Sequence, residues 1–106
     1  MAIGFKVDKV SPEFGGEQAL RDRSRRTVKG NPVVIMGEGE EAIKRLEAGE
    51  GTHFRIYCGD GEFVCSGKSL DNDSEDAFAP LDYYAEGEFG AVEIRYRNGR
   101  GAYEVL

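Results

Sequence analysis

Two short glycine-containing turn signals constrain the fold of this chain more strongly than any other feature of its sequence. The pairs Asp60-Gly61 and Asn98-Gly99 each stand between two segments in which apolar and polar residues alternate. Alternation with a period of two is typical of a half-buried β-strand. Both pairs favour the type I′ turn, because its two central residues need positive φ. The sequence therefore predicts two antiparallel β-hairpins.

The position of each turn also predicts which strand residues face each other. A two-residue turn in the first hairpin pairs Ile56 with Cys65, and a two-residue turn in the second pairs Ile94 with Tyr103. The apolar face of the first hairpin is then formed by Phe54, Ile56, Cys58, Phe63 and Cys65. That of the second hairpin is formed by Val92, Ile94, Tyr96, Tyr103 and Val105.

The rest of the chain supplies further strands and one well-marked helix. Residues 40–48 place Ala42, Ile43 and Leu46 on one face, contain pairs of opposite charge four residues apart, and end at Gly49. A second helix with little apolar surface is predicted over residues 17–26. Strands are predicted near residues 3–8, 32–36, 53–58, 62–67, 90–97 and 101–106.

Together these elements predict an α+β fold. We expect a mainly antiparallel sheet of five to six strands with one or two helices packed on one face, all within a single domain spanning residues 1–106. A small, partly open β-barrel with a single helix is the alternative. A chain of 106 residues is long enough to bury about two-thirds of its unfolded surface without disulfides or metals.

The net charge, the N-terminal residues and the number of cysteines indicate which partners and which cellular compartment to expect. The net charge of −6 disfavours nucleic acid and anionic membranes and favours a basic partner. The N-terminal residues lack a cationic leader followed by an apolar core, and no stretch approaches about 18 apolar residues, so we expect a cytoplasmic protein without a membrane span. Cys58 and Cys65 are too few for a disulfide scaffold and are expected to be free thiols.

The connection between the two hairpins, residues 69–89, is unusually acidic and aromatic. Between Lys68 and Arg95 the chain carries eight carboxylates and no cation. Carboxylates steer a basic protein towards such a surface, and exposed aromatic rings supply rigid contact area. The predicted partner-binding residues are Asp71, Asp73, Glu75, Asp76, Phe78, Asp82, Tyr83, Tyr84, Glu86 and Glu88. The alternative is that the aromatic residues fold back onto the core and the acids only keep the segment in water.

Two other binding hypotheses come from different parts of the chain. A basic cluster could neutralise the phosphates of a nucleic acid, although it lacks interleaved aromatic residues for base stacking. Its members are Arg21, Arg23, Arg25, Arg26 and Lys29. A third hypothesis makes the chain a structural subunit of a larger assembly, joined through an exposed edge of the sheet.

No catalytic, metal or cofactor site is predicted. Residues 71–82 space their acids like the ligands of a calcium loop, but Asp76 stands where the sharp turn of that loop needs glycine. The glycines of residues 37–39 occupy a strand-to-helix turn, where flanking carboxylates would repel a phosphate. His53 is the only histidine, and the local sequence places no nucleophile beside it.

We therefore predict a non-enzymatic, acidic binding or inhibitor module. It is expected to engage the basic surface of another protein, such as one that binds nucleic acid, through residues 71–89. Nucleic acid itself is disfavoured as a partner, no membrane partner is expected, and the sequence carries no signal for an oligomeric state.

Overall fold

An antiparallel sheet of six strands, with a separate two-stranded hairpin, forms the framework of the protein. The computed structural model describes residues 3–106. In chain order the strands are β1 (Gly4–Val10), β2 (Thr27–Val28), β3 (Asn31–Pro32), β4 (Val34–Gly37), β5 (Thr52–Tyr57), β6 (Phe63–Ser69), β7 (Glu93–Arg97) and β8 (Tyr103–Val105). The order across the large sheet is β4-β1-β6-β5-β7-β8, every neighbouring pair is antiparallel, and β2 pairs with β3.

The helical elements are more numerous than the one or two predicted. They are a 3₁₀ turn (Pro12–Phe14), α1 (Gly16–Arg23), α2 (Glu40–Glu47), a second 3₁₀ turn (Glu75–Phe78), a π-helical turn (Leu81–Ala85) and α3 (Glu86–Phe89). Over residues 3–106, none of these helices reaches the length and apolarity needed to cross a membrane. The sheet and the helices together confirm the predicted α+β fold.

The main core lies on one face of the sheet, which we call the core face. Residues directly opposite on neighbouring strands share a face, and the register places Gly67 between Val7 and Phe54. Leu20 of α1 and Tyr84 of the π-helical turn are buried in the same cluster, so α1 and residues 75–89 cover this face. Burial of each large apolar side chain contributes about 1.5–3 kcal/mol to stability.

Helix α2 packs on the opposite face, at the β4–β1 end of the sheet. Gly4 is paired with Gly37 and adjoins Phe5 in the strand, so both glycines face away from the core face. They leave room for the helix, because a Cβ atom at Gly37 would lie only 3.4 Å from the Cβ atom of Ala42. Leu46, one turn further along α2, is fully buried. Helices therefore cover parts of both faces of the sheet, whereas the sequence predicted helices on one face only.

Both hairpins form, but neither uses the predicted type I′ turn. Gly61 and Gly101 have φ values of +81° and +83°, whereas Asp60 and Asn98 do not have positive φ. The backbone N–H of Gly61 donates to the carbonyl of Cys58, and that of Gly101 to the carbonyl of Asn98, both at 3.0 Å. Each loop thus has three residues, 59–61 and 99–101, and ends in a left-handed glycine, so it is one residue longer than the predicted two-residue loop.

The longer loop of the second hairpin exchanges the sheet faces on which the side chains of β8 lie. Arg97 is opposite Tyr103 and Arg95 is opposite Val105, whereas a two-residue turn pairs Ile94 with Tyr103. The shift from Ile94 to Arg97 is three residues, an odd number, so Tyr103 and Val105 lie on the face opposite the core. The prediction that these two residues join the core face is wrong.

The first hairpin is closer to expectation. Ile56 is opposite Cys65, which confirms the predicted pairing. A bulge next to this pair brings Tyr57 opposite Phe63 instead of leaving Phe63 opposite Cys58. Phe63 therefore lies with Tyr57 on the face opposite the core, where their rings meet edge to face with centroids 6.1 Å apart.

Candidate functional site

Residues 71–89, which we call the acidic segment, form a series of helical turns. The second 3₁₀ turn, the π-helical turn and α3 follow one another along it. Ala77, Leu81, Tyr84 and Ala85 are buried, and their spacing of four, three and one residues is that of a single helix face. This spacing is a signal in the sequence that the prediction of a surface loop overlooked.

Two tyrosines anchor the acidic segment to the core. The ring of Tyr84 is only 2% exposed and meets Phe89 edge to face, with centroids 5.6 Å apart. Burial raises the pKa of the Tyr84 hydroxyl. Tyr96 of β7 donates its hydroxyl to the carbonyl of Ala77 at 2.7 Å. Tyr84 was predicted to bind a partner, but its side chain belongs to the core and not to the surface.

The carboxylate of Asp71 accepts hydrogen bonds from residues close to it in the chain. It accepts from the hydroxyl of Ser74 at 2.5 Å and from the backbone N–H groups of Ser74 and Asp73 at 3.0 and 3.1 Å. The hydroxyl of Ser74 is the main cause of a lowered pKa at Asp71. The Ser74 oxygen also accepts from the N–H of Asp76 at 3.2 Å and so caps the 3₁₀ turn. Asp71 therefore orders the start of the segment.

We expect Ser74→Ala to lower the free energy of unfolding by about 1 kcal/mol, because it removes this cap. It should also raise the pKa of Asp71 towards the value of about 3.9 in an unfolded chain. A lowered folded-state pKa adds stability above the unfolded pKa, and this stability is lost as the pH falls through the folded pKa. The variant should therefore lose less stability on acidification below about pH 4 than the wild type.

Urea unfolding at several pH values and an NMR titration of Asp71 measure both effects. Ser66→Ala, on the opposite side of the sheet, is the control. An unchanged Asp71 pKa in the Ser74→Ala protein would contradict the assignment of this hydrogen bond.

Two aromatic residues of the acidic segment remain accessible. The side chains of Phe78 and Tyr83 are 38% and 59% exposed. Tyr83 borders a shallow depression of about 310 Å³ at the β4–β1 edge of the core face. The depression is lined by Ile3, Phe5, Arg23, Met36, Gly37, Glu38 and Tyr83. The surface beside the acids thus offers apolar contacts as well as charge.

Most acids of the segment have no cation beside them. Within residues 3–106, Glu88 is the only carboxylate of residues 71–89 within 4 Å of a basic group, and its partner is Arg23 at 3.4 Å. The exposed acids of the segment are Asp73, Glu75, Asp82, Glu86 and Glu88. Asp76 is half-buried, and one of its oxygens has no hydrogen-bond partner within the described chain.

The basic cluster at residues 21–29 is largely paired with carboxylates. The pairs are Arg21–Glu17 at 3.5 Å, Arg23–Glu88 at 3.4 Å and Arg26–Glu47 at 3.0 Å. In the part of the chain that the structure covers, Arg25 and Lys29 have no such partner. Pairing lowers the positive charge that this cluster presents to a phosphate backbone.

A second cationic surface, which was not predicted from the sequence, lies on the sheet opposite the core. We call it the basic sheet face. Its basic and aromatic residues are Lys9, His53, Arg55, Tyr57, Phe63, Lys68, Arg95, Arg97 and Tyr103, and the same face carries Glu93, Val105 and the buried Lys6. The alternation of Arg95 and Arg97 with Ile94 and Tyr96 was visible in the sequence, but the contribution of β8 depended on the wrongly predicted loop.

A thiol and two carboxylates meet at the tip of the first hairpin. The ligand atoms of Cys58, Asp60 and Glu62 lie within 4.8 Å of one another, and a hydrogen bond with Glu13 raises the pKa of Glu62. Exposed acidic groups often cluster in this way without a metal, so we assign no site here. Cys58 and Cys65 are free, as predicted, and burial raises the pKa of Cys65 to about 12.

Comparison with known proteins leaves the chain without an assigned family. No protein-family model matches it, and it has no significant match among curated proteins or solved structures. Its function is therefore argued from the surfaces described above.

Proposed function

We propose that the protein is a non-enzymatic binding or inhibitor module that engages a basic protein surface through the acidic segment. The observation that carries this proposal is the exposure of Phe78 and Tyr83 on an ordered segment whose acids are mostly unpaired. An ordered segment loses less conformational entropy on binding than a flexible loop does. The carboxylates would steer the approach of a basic partner, and the two rings would supply the contact area.

The depression beside Tyr83 supports an anchored contact. Central hot spots of interfaces are well-packed pockets that receive one large side chain, surrounded by polar groups that exclude water. Ile3, Met36 and Tyr83 supply the apolar wall, and Glu38 lies at the same depression. We propose that an aromatic or long basic side chain of the partner enters it, since the stem of Lys or Arg can lie along apolar walls.

The proposed inhibitor role rests on the negative charge of the segment. An array of carboxylates can replace the phosphates of a nucleic acid in the groove of a protein that binds one. The proposed partner is therefore a basic protein, and binding would compete with its nucleic acid. The two free thiols are consistent with a reducing cytoplasm, where we place the protein.

The test uses two double variants of the acidic segment and one matched control. Glu75→Gln with Asp82→Asn removes two exposed acids, and Phe78→Ser with Tyr83→Ser removes the exposed rings. Wild-type protein is immobilised, basic proteins retained from an extract of the native host are identified by mass spectrometry, and the retained protein is purified for calorimetric titration. We expect each double variant to bind it roughly tenfold or more weakly.

The control is Glu40→Gln with Glu41→Gln, which removes the same charge from α2 on the opposite face. It should leave the affinity within about twofold, because neither residue belongs to the acidic segment or lines the depression beside Tyr83. The purified partner should also lose its nucleic acid when the wild type is added. Equal affinity for wild type and both segment variants, or absence of any basic protein among those retained, would overturn the proposal.

A further inference from the structure

The basic sheet face brings together cations that repel one another. Arg55 on β5 lies directly opposite Arg95 on β7, and Lys6 on β1 lies directly opposite Lys68 on β6. Like charges at directly opposite positions destabilise a sheet. Burial, and then the charges of Lys68 and Arg97, lower the pKa of His53. This arrangement opposes folding, so an anionic partner offers it a direct stabilising role.

Some of these cations already have partners inside the chain. Lys68 donates to the carbonyl of Gly49 at the end of α2, at 2.7 Å. Arg95 is bound by Glu93 at 2.6 Å. Within residues 3–106, Arg55 and Arg97 have no carboxylate within 4 Å. These two arginines are therefore the guanidinium groups of this face that are free to contact an anion.

Two of the guanidinium groups lie over aromatic rings. The Cζ atom of Arg55 lies 4.0 Å from the centre of the Tyr103 ring, and that of Arg95 lies 4.3 Å from the centre of the Tyr57 ring. Guanidinium planes and aromatic rings both serve as stacking platforms for unpaired nucleobases. The face therefore carries two guanidinium–aromatic pairs, which are made of the planar groups that such bases recognise.

A shallow depression lies beside these stacks. It has a volume of about 260 Å³ and is lined by Lys9, Arg55, Tyr57, Phe63 and Ser66. Its walls combine two cations with two aromatic rings, which matches the phosphate and the base of a nucleotide. None of these residues belongs to the acidic segment.

We propose that the basic sheet face binds single-stranded nucleic acid. Lys9, Arg55 and Arg97 contact the phosphates, and bases stack on the rings and guanidinium planes around Tyr57 and Tyr103. A duplex keeps its bases stacked inside and cannot use these rings. An acidic peptide would use the cations but leave the aromatic rings without a matching planar group. Charge and aromatic content together therefore favour an unpaired strand.

The net negative charge of the chain does not prevent this binding, because its charges are separated. The acidic segment packs on the core face, and the proposed site is on the other side of the sheet. Packed layers are about 10 Å apart, and the interaction between two charges falls with their distance. The carboxylates therefore act on a strand bound to the basic sheet face more weakly than the cations that touch it.

The experiment measures the fluorescence anisotropy of labelled ten-nucleotide thymidine and uridine strands with the full chain at 50 mM salt. We expect a dissociation constant on the order of 10 μM and a decrease in affinity as salt rises. Tyr103→Ala should weaken binding roughly tenfold, because it removes one stacking platform. Arg55→Gln with Arg97→Gln should also weaken binding and reduce the slope of log affinity against log salt by about 0.7 for each phosphate that is no longer neutralised.

The matched control is Arg25→Gln with Lys29→Gln, which removes the same charge from the basic cluster and should leave the affinity unchanged. Thermal unfolding verifies that each variant is folded. Absence of binding at 20–50 mM salt would overturn the proposal, as would equal binding of a duplex. Equal binding of a ten-residue polyglutamate peptide would overturn the proposal and indicate an acidic protein as the partner. Self-association of the protein that is abolished by Glu75→Gln with Asp82→Asn would also overturn it, and would indicate that a second copy of the chain binds this face.

Discussion

Replacing Gly67 with alanine is expected to unfold the protein or leave it barely stable. A Cβ atom at this position would lie 1.8 Å from the carbonyl oxygen of Lys6 and 3.0 Å from the Cα atom of Val7. Both are backbone atoms of β1, a central strand that pairs with β4 and β6. Val7 is the residue directly opposite Gly67 on β1. Relief of the clash requires the two strands to separate.

We expect a loss of about 4 kcal/mol or more in the free energy of unfolding. Most domains have about 5–15 kcal/mol in total. Urea titration followed by circular dichroism measures the loss. Gly87→Ala is the control, because a Cβ atom there meets nothing within 4 Å and alanine favours the helix in which it lies. A Gly67→Ala protein within about 1 kcal/mol of the wild type would show that β1 and β6 are not in this register.

Tyr84→Ala is expected to cost about 3–5 kcal/mol, the range for removal of a large buried aromatic side chain. Tyr84 is 2% exposed and joins the π-helical turn to the core beside Phe89. The loss of this ring should also release the acidic segment, so the variant should bind a basic partner more weakly although Tyr84 does not reach the surface. Chemical unfolding and amide hydrogen exchange of residues 71–89 measure the two effects.

Tyr84→Phe separates the ring from its hydroxyl. The buried hydroxyl has no hydrogen-bond partner within residues 3–106, and removal of an unsatisfied polar group costs nothing or adds about 1 kcal/mol of stability. Tyr96→Phe is the counterpart, because its hydroxyl does have a partner in Ala77. It should lose about 1–2 kcal/mol. Similar losses for the two phenylalanine variants would contradict this placement of the tyrosines.

For the acidic segment, the sequence predicted most of the surface residues correctly but not all of them. Its charge and its two accessible rings, Phe78 and Tyr83, were predicted from the sequence, and both rings lie at the surface. The inclusion of Tyr84 among the surface residues was wrong, because the helical spacing of Ala77, Leu81 and Tyr84 turns that ring inward. The π-helical turn also adds a residue to the helix repeat, which is difficult to infer from a short pattern.

For the basic sheet face, the local pattern at Asn98-Gly99 was not enough to predict the position of Tyr103. The side chain of Asn98 accepts hydrogen bonds from the N–H groups of Arg100 at 2.8 Å and Ala102 at 3.1 Å. These bonds stabilise the longer loop, and Gly101 supplies the left-handed residue that closes it. The type I′ interpretation of Asn98-Gly99 ignored this alternative, so it misplaced Tyr103, one of the rings on which the second proposal depends.

Strand alternation, turn-forming glycines and the amphipathic helix at residues 40–48 were enough to specify the α+β class and the positions of the strands. These signals are local, since each depends on neighbours along the chain. Which residues meet across most of the sheet followed from the three-dimensional fold alone. A bulge or one extra loop residue reverses every side chain beyond it, and the gaps at Gly4 and Gly37 decide where α2 packs. Both surfaces proposed to bind partners depend on such long-range contacts.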